Sequence, residues 1–349
     1  GDQRWVRLHC NFPHHAAAAL RALGCANTKE AVTQAVRARN AIDVEESALA
    51  NGGASGAARS REEWLRHPHF AAIDASPLIG FERAGDAKPK LSSAIRVLDL
   101  TRVIAGPVAG KALAGYGAEV YHVGSSRLPT IEALDVDHGF GKRACDIDIT
   151  TPEGAGALRE LIAASDVVLE SYRPGALASH GFGFEDVRKL RPDIVYLSLS
   201  AYGDAGPWAG RRGFDSIVQL TSAVAITDPS AKPHPLPCQG LDHGTGYLAA
   251  FAIGAALLRR ATEGGAWRIK VSLCRTAELL WDLGLHDHLQ THDPTIEDVR
   301  DLLEEVQTVD GAVVHVPIPG TIGGRDFRGM PPLISSSADA MRSGSLPGR

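Results

Sequence analysis

The stretch from Arg96 to Val123 constrains this chain most. Arg96-Val97-Leu98-Asp99-Leu100 reads as a buried strand, Ala105-Gly106-Pro107 as a turn, and Val108 to Tyr116 as a helix closed by Gly117. Glu119-Val120-Tyr121-His122-Val123 is the next strand. Strand, glycine turn, helix and strand in about 30 residues make a βαβ unit. The alternation continues with a helix from Pro152 to Ala164, a strand from Asp166 to Glu170, a helix from Phe184 to Leu190 and a strand from Ile194 to Ser198. A further strand, Trp267 to Leu273, precedes a helix through Leu280-Trp281. Such alternation predicts a parallel sheet with helices on its faces, and ligands at the carboxyl ends of its strands. The first turn, Thr101 to Pro107, carries no G-x-G-x-x-G, and no Walker A sequence occurs. NAD, FAD and nucleoside triphosphates are therefore not signalled.

The predicted fold class is α/β: a Rossmann-like parallel sheet with flanking helices over residues 86–290, plus a smaller, mostly helical region at 1–85. Residues 291–349 read as a weakly structured tail, with a helix over 296–306, a strand over 312–316 and loop beyond. In the first region Trp5 to Leu8 alternates like a strand, and helices are expected at Pro13 to Leu23, Thr28 to Arg39 and Val44 to Ala50. Ser60-Arg61-Glu62-Glu63 is a capping box, with Pro68 ending the short helix it starts. His9, His14, His15, His67 and His69 lack the partners of a metal set and read as solvated surface residues. Gly85 to Lys90 is polar and Pro-broken, as in a linker.

A net charge of −5 with no long basic block argues against nucleic acid as a partner. Five cysteines, none in a CxxC pair, suit free thiols in a reducing cytoplasm. No apolar run reaches about 18 residues, so no membrane span is expected. No metal and no tightly bound cofactor are expected either. The chain begins at Gly1, and its methionines are Met330 and Met341. It is therefore expected to be one part of a longer or tandem product.

One carboxylate stands out. In Leu236 to Arg260, the polar turn Asp242-His243-Gly244-Thr245-Gly246 precedes an apolar Ala/Leu/Gly run that ends in Arg259-Arg260. Asp242 is placed just outside the helix N-terminus, where free N–H groups and the dipole favour an ionised carboxylate. It reads either as an N-cap or as a nucleophile among small, flexible residues. The Gly203 to Asp215 loop carries Arg211-Arg212, which reads equally as a phosphate contact or as a solvated loop.

Short motifs in a fixed order carry a resemblance. They run from Val97-Leu98-Asp99-Leu100-Thr101-Arg102 with Ala105-Gly106-Pro107, through Gly117-Ala118-Glu119-Val120 and Gly141-Lys142-Arg143, to Thr151-Pro152-Glu153-Gly154 and Asp166-Val167-Val168. They continue with Tyr172-Arg173-Pro174-Gly175, Pro192 with Ile194-Val195-Tyr196, Tyr202-Gly203 with Gly206-Pro207, and Arg260 with Gly264-Gly265. Over roughly residues 95–285 the chain resembles the family III CoA-transferases, the CaiB/BaiF family. The resemblance implies transfer of coenzyme A, as co-substrate, from an acyl-CoA to a small carboxylic acid. It implies Asp242 as the nucleophile, a mixed anhydride, and then an aspartyl-CoA thioester. Gly244 and Gly246 would supply backbone N–H groups to the developing oxyanion. Ile104, Ala105, Tyr172, Arg173 and Arg212 would contact CoA, and an interlocked homodimer is implied.

The chain departs from the family pattern after its second strand, where His122-Val123-Gly124 is followed by Ser125 at a position often basic, with Arg127 nearby as a substitute. It departs again at Thr150, which replaces a lysine. A racemase acting on α-methylacyl-CoA is the nearest rival; that chemistry needs a histidine in a Gly-His-Asp segment, and the chain reads Gly213-Phe214-Asp215. The other rival is a non-catalytic CoA-binding part of a larger protein.

Overall fold

The computed structural model describes residues 1–226, 228–284, 294–308, 311–326 and 330–335. Its first elements are β1 (Val6–Leu8), α1 (Pro13–Leu23), α2 (Lys29–Arg37), α3 (Ala41–Ala50), β2 (Ser55–Ala57), α4 (Arg61–Leu65), α5 (Pro68–Asp74) and β3 (Gly80–Ala84). The alternating part follows: β4 (Arg96–Asp99), α6 (Ala105–Gly115), β5 (Glu119–Gly124), α7 (Glu132–Gly139), β6 (Lys142–Asp146), α8 (Pro152–Ala164), β7 (Val167–Glu170), α9 (Phe184–Leu190) and β8 (Val195–Ser200). Then come α10 (Asp215–Thr221), α11 (Gly240–Glu263), β9 (Ala266–Ser272) and α12 (Leu273–Leu283). Short strands β10 (Glu304–Thr308), β11 (Gly311–His315), β12 (Thr321–Ile322), β13 (Arg325–Asp326) and β14 (Ile334–Ser335) complete the described chain.

Two compact units result. One holds Gly1–Gly80, Leu199–Thr245 and Lys270–Gly284; the other holds Phe81–Ser198, Gly246–Ile269 and the described residues beyond 284. The stretch 86–290, expected as one domain, is thus shared between them.

The second unit is built on an eight-stranded sheet in the order β14-β6-β5-β4-β7-β8-β9-β3. The pairs β6–β5, β5–β4, β4–β7 and β7–β8 are all parallel, with Val97 opposite both Val120 and Val167. The predicted Rossmann-like α/β layering is therefore present. Its strands are apolar because both faces are covered. Leu98, Ile162, Val168, Phe182 and Ile194 lie in one buried cluster, each contributing about 1.5–3 kcal/mol by leaving water. Helix α11 leaves this unit's core through a buried charge cluster. The Arg260 guanidinium, fully buried, donates to Asp166 at 3.1 Å and to Ser92 at 3.0 Å. Gly264 and Gly265 then turn the chain with φ of +70° and +77°. A side chain on Gly264 would lie 2.2 Å from the Ala87 carbonyl, so only glycine fits. The expected linker at 85–90 is packed against this corner, with Gly265 N–H donating to Ala87 at 2.7 Å.

Within the first unit β1 and β2 pair antiparallel. The capping box forms in both halves: Glu63 N–H reaches the Ser60 hydroxyl at 3.1 Å, and Ser60 N–H reaches the Glu63 carboxylate at 2.8 Å. Pro68 opens α5 instead of merely ending α4, with the His67 ring as cap. The histidines are a correction. His9, His15 and His69 are buried, and His69 sits between the Tyr202 carbonyl at 2.8 Å and the Trp208 N–H at 3.3 Å. Aromatic neighbours and backbone partners, which spacing along the chain does not reveal, draw them inside.

The expected tail differs as well. The helix expected over 296–306 is a short 3₁₀ turn, Arg300–Leu302, followed by β10, which pairs with β11. β14 joins the main sheet beside β6. Residues 336–349 of that tail lie outside the described residues.

Helix α11 and the turn before it, Pro237–Glu263, are long and apolar enough to cross a membrane, with a mean hydropathy of 1.2 over 18 residues; half of that window is buried inside the protein. A helix that also buries a paired arginine is accounted for as a core helix.

Candidate functional site

The turn after β4 is held from below by charge. Asp99, at the end of β4, accepts the Thr101 N–H at 2.9 Å and the Thr101 hydroxyl at 2.5 Å. Its other oxygen accepts Lys142 Nζ at 2.7 Å, and Lys142 also reaches the Pro107 carbonyl at 2.9 Å. Burial pushes the Asp99 pKa up, but Lys142 and its other partners outweigh this and leave it below its usual value. Above this pair Val103 adopts a φ of +73°, a costly conformation for a β-branched residue. Ile104 and Ala105 follow at the start of α6, both buried. Helix α11 passes closely here. A side chain on Gly246 would lie 2.5 Å from the Ala105 carbonyl, so Gly246 permits the close helix approach.

A cavity of about 410 Å³ opens at the carboxyl ends of β4 to β7, within the size range of small-molecule sites. Its wall is mostly aliphatic, with Leu100, Val123, Ile147 and Leu177, and Tyr172 adds a ring. Ser125, Arg127 and Thr150, where the chain departs from the family pattern, all line it. Glu170 was not singled out in the sequence, although it ends a strand. Its carboxylate accepts the Tyr172 N–H at 2.8 Å and so fixes the loop bearing that ring. Burial pushes Glu170 up to about 7. Arg173 is exposed, in the turn closed by Ala176 N–H to its carbonyl at 2.9 Å. Ile104 and Ala105 do not line this cavity.

Asp242, Gly244 and Arg212 belong to the first unit; Ile104, Ala105, Tyr172, Arg173 and Gly246 belong to the second. Helix α11 begins at Gly240, so Asp242 lies inside its first turn and not before it. Gly244 and Gly246 are also helical, and each N–H points back to the carbonyl four residues earlier. Donation to an oxyanion would break that bond.

Asp242 does not cap the helix. Asp215, at the head of α10, does: its carboxylate accepts the Asp242 N–H at 2.9 Å and the Leu241 N–H. The Gln219 side chain donates to Asp215 and accepts the Leu236 N–H at 2.7 Å. Among the described residues no donor reaches the Asp242 carboxyl, which is buried. Burial first, and the neighbouring Asp215 second, push its pKa well above 3.8. Desolvation and a like charge thus work against the ionised state expected from the helix terminus. The signal for this lies at Asp215, 27 residues upstream, where local reading cannot connect it. Two strained residues, Cys238 and Gln239, with φ of +49° and +57°, lead into the helix.

The neighbourhood of Asp215 explains the loop before it. Phe214 stacks on His9 with ring centres 3.7 Å apart and planes 2° apart. Arg211 pairs with Glu46 and with the buried Glu45 at 2.8 Å, which removes it as a phosphate contact. Arg212 is half-buried, near His15; burial first, then His14, His9 and Arg212, lower His15 to about 4.

Comparison with known proteins accords with this geometry. The pattern of CoA-transferase family III matches residues 93–302, more than half of the chain, and the chain belongs to that family. It is 33% identical over 193 residues to the probable fatty acyl-CoA transferase Rv3272 of Mycobacterium tuberculosis, covering 51% of this chain and 49% of the relative. To the succinate–glutarate CoA-transferase of Agrobacterium fabrum it is 34% identical over 206 residues, covering 53% and 51%. A crystal structure of Rv3272 superposes with a TM-score of 0.51 at 32% identity, covering 60% of this chain and 62% of the other. The chain spans about half the length of the curated relatives it matches.

The raised pKa of Asp242 carries a stability consequence. A carboxyl whose folded pKa lies above its unfolded value of 3.8 is fully accommodated below pH ~4; that stability is lost as pH rises toward the folded pKa. Asp242→Asn is expected to melt at a higher temperature than the parent at pH 7, with the difference shrinking to nothing near pH ~4. Thermal melts across that range check it.

Proposed function

We propose that this chain takes part in CoA transfer, with Asp242 as the nucleophile and the strand-end cavity as the seat of the CoA nucleotide. The observation that carries the reading is the family match over residues 93–302, which includes both Asp242 and every lining residue of the cavity. An Asp242 oxygen attacks the thioester carbonyl of an acyl-CoA. The C–S bond breaks, CoA leaves as the thiolate, and a mixed anhydride remains. The thiolate then attacks the aspartyl carbonyl, giving aspartyl-CoA and the freed donor acid. An acceptor carboxylate reverses the two steps and leaves as its CoA ester. A carboxylate without hydrogen-bond donors is a stronger nucleophile than a solvated one. Burial and Asp215 push the Asp242 pKa well above 3.8, so transfer is expected to rise with pH as the carboxylate forms. Asp215→Asn keeps an oxygen for the helix N–H groups but removes the charge that raises Asp242. It should therefore shift the rise to lower pH.

Asp242→Ala should reduce transfer from acetyl- or succinyl-CoA to a carboxylic acid by at least about a thousandfold. Transfer at the parent rate would leave Asp242 without a chemical role. A second reading, a non-catalytic CoA-binding part of a longer protein, is favoured by the burial of Asp242, which works against its ionised, nucleophilic form. It takes over if no donor and acceptor pair supports transfer while nucleotide fragments still bind.

The interlocked homodimer belongs to this proposal. Tyr247, Phe251 and Leu258 lie on one face of α11 at i, i+4 and i+11, with Phe251 and Leu258 each 67% exposed. A second chain would cover this stripe, and Phe251→Asp is expected to shift sedimentation from dimer to monomer. A parent chain that sediments as a monomer sinks the dimer. A reducing cytoplasm fits the exposed thiols of Cys10 and Cys238.

A further inference from the structure

We propose that Gln219 is a positioning residue for Asp242, holding Asp215 against the head of α11 and tethering the turn that leads into that helix. The inference rests on the reading of Asp242 as the nucleophile given above.

Gln219 stands four residues after Asp215 on α10, so the two side chains share one face of that helix. Both are fully buried. A buried amide is costly unless each end finds a partner, and here each does. Gln219 Oε1 accepts the Leu236 N–H at 2.7 Å, and Nε2 donates to Asp215 Oδ1. A backbone N–H can only donate, so the amide oxygen must face Leu236 and the NH2 group must face Asp215. Asp215 is thereby held at both oxygens: Oδ1 by Gln219, and Oδ2 by the Asp242 N–H at 2.9 Å. With Oδ1 pinned, the carboxylate keeps the rotation that aims Oδ2 at the helix head.

The other end of the amide reaches the turn. Cys238 and Gln239 have φ of +49° and +57°, a backbone state that persists only where its surroundings impose it. Leu236 lies just before them, and its N–H ends on Gln219. The Gln219 carbonyl also accepts the Ala225 N–H at 2.9 Å, and the Ala225 carbonyl accepts the His234 N–H at 2.7 Å. The chain approaching α11 is therefore moored to Gln219 directly and again through Ala225. Asp242 follows three residues after Gln239, so its place depends on that mooring.

The same contact bears on charge. Burial leaves Asp215 above its usual value; against burial, the Asp242 N–H, the Gln219 amide, the Leu241 N–H and His243 favour its ionised form. Charge on Asp215 adds to burial in opposing ionisation of Asp242. Gln219 thus acts on Asp242 through Asp215.

Transfer from acetyl-CoA or succinyl-CoA to a carboxylic acid, followed across pH, tests this. Gln219→Met keeps the length of the side chain but loses both contacts. Its kcat should fall about tenfold or more, with KM within about threefold of the parent. Its rise of transfer should move to lower pH, because Asp215 without that donor holds its charge less firmly. Gln219→Glu keeps an oxygen for Leu236 and sets a second carboxyl beside Asp215, so its rise should move to higher pH. A loss of packing alone would lower kcat and move neither rise. Thermal melts at pH ~7 give a readout independent of transfer. The gain in melting temperature from Asp242→Asn should be smaller in the Gln219→Met background than in the parent, and larger in the Gln219→Glu background. Should Gln219→Met not fold, Gln219→Glu carries both readouts. Unshifted rises, or the same gain from Asp242→Asn in every background, overturn the proposal. If the parent transfers no CoA, the nucleophile reading fails by itself, and the melts still decide whether Gln219 governs Asp242.

Discussion

Two carboxyl groups, Asp215 and Asp242, are held together at the head of one helix, and their division of labour underlies the candidate chemistry. Asp215 accepts the first N–H groups of α11 and the Gln219 amide. Those donors stabilise charge on Asp215. Burial still leaves Asp215 above its usual value; Asp242 receives none of those donors, and burial first and Asp215 second push its pKa well above its own usual value. A group in this state reduces the stability of the fold at neutral pH and is a strong base once its proton leaves. Stability given up at a reactive site is the usual trade between the two.

A similar economy of charge orders the sheet unit. Lys142 and Asp99 are buried at the end of β4, where they hold Thr101 and the strained Val103 turn in place. Breaking such a pair would cost about 3–5 kcal/mol by leaving one charge alone. The turn delivers Ala105 to the start of α6, where Gly246 lets the two helices meet. On the neighbouring strand ends, Glu170 holds the Tyr172 loop and Thr150 holds Asp148. The cavity is thus shaped by backbone-directed carboxylates as much as by its aliphatic wall.

The sheet was legible from the sequence because parallel strands buried on both faces are short apolar runs with glycine and proline punctuation, as at Val97-Leu98 and Val167-Val168. The capping boundary at Ser60 was legible for a similar reason: both halves lie within four residues. What escaped is long-range. Burial of His9 depends on Phe214, and that of His69 on Tyr202 and Trp208. Asp242 looked like a cap because its true competitor for that role, Asp215, sits in another helix. The tail strand β14 pairs with β6 nearly 200 residues away in the chain, a pairing that no local pattern encodes.

The proposed transfer requires Asp242 to become covalently attached to CoA. Mass spectrometry of the peptide containing Asp242, after the chain is incubated with acetyl-CoA or succinyl-CoA, measures this directly. A CoA thioester is expected on that peptide, absent from Asp242→Ala and removed by adding an acceptor acid. Turnover of donor and acceptor with no adduct on Asp242, or an adduct on another residue, would contradict it.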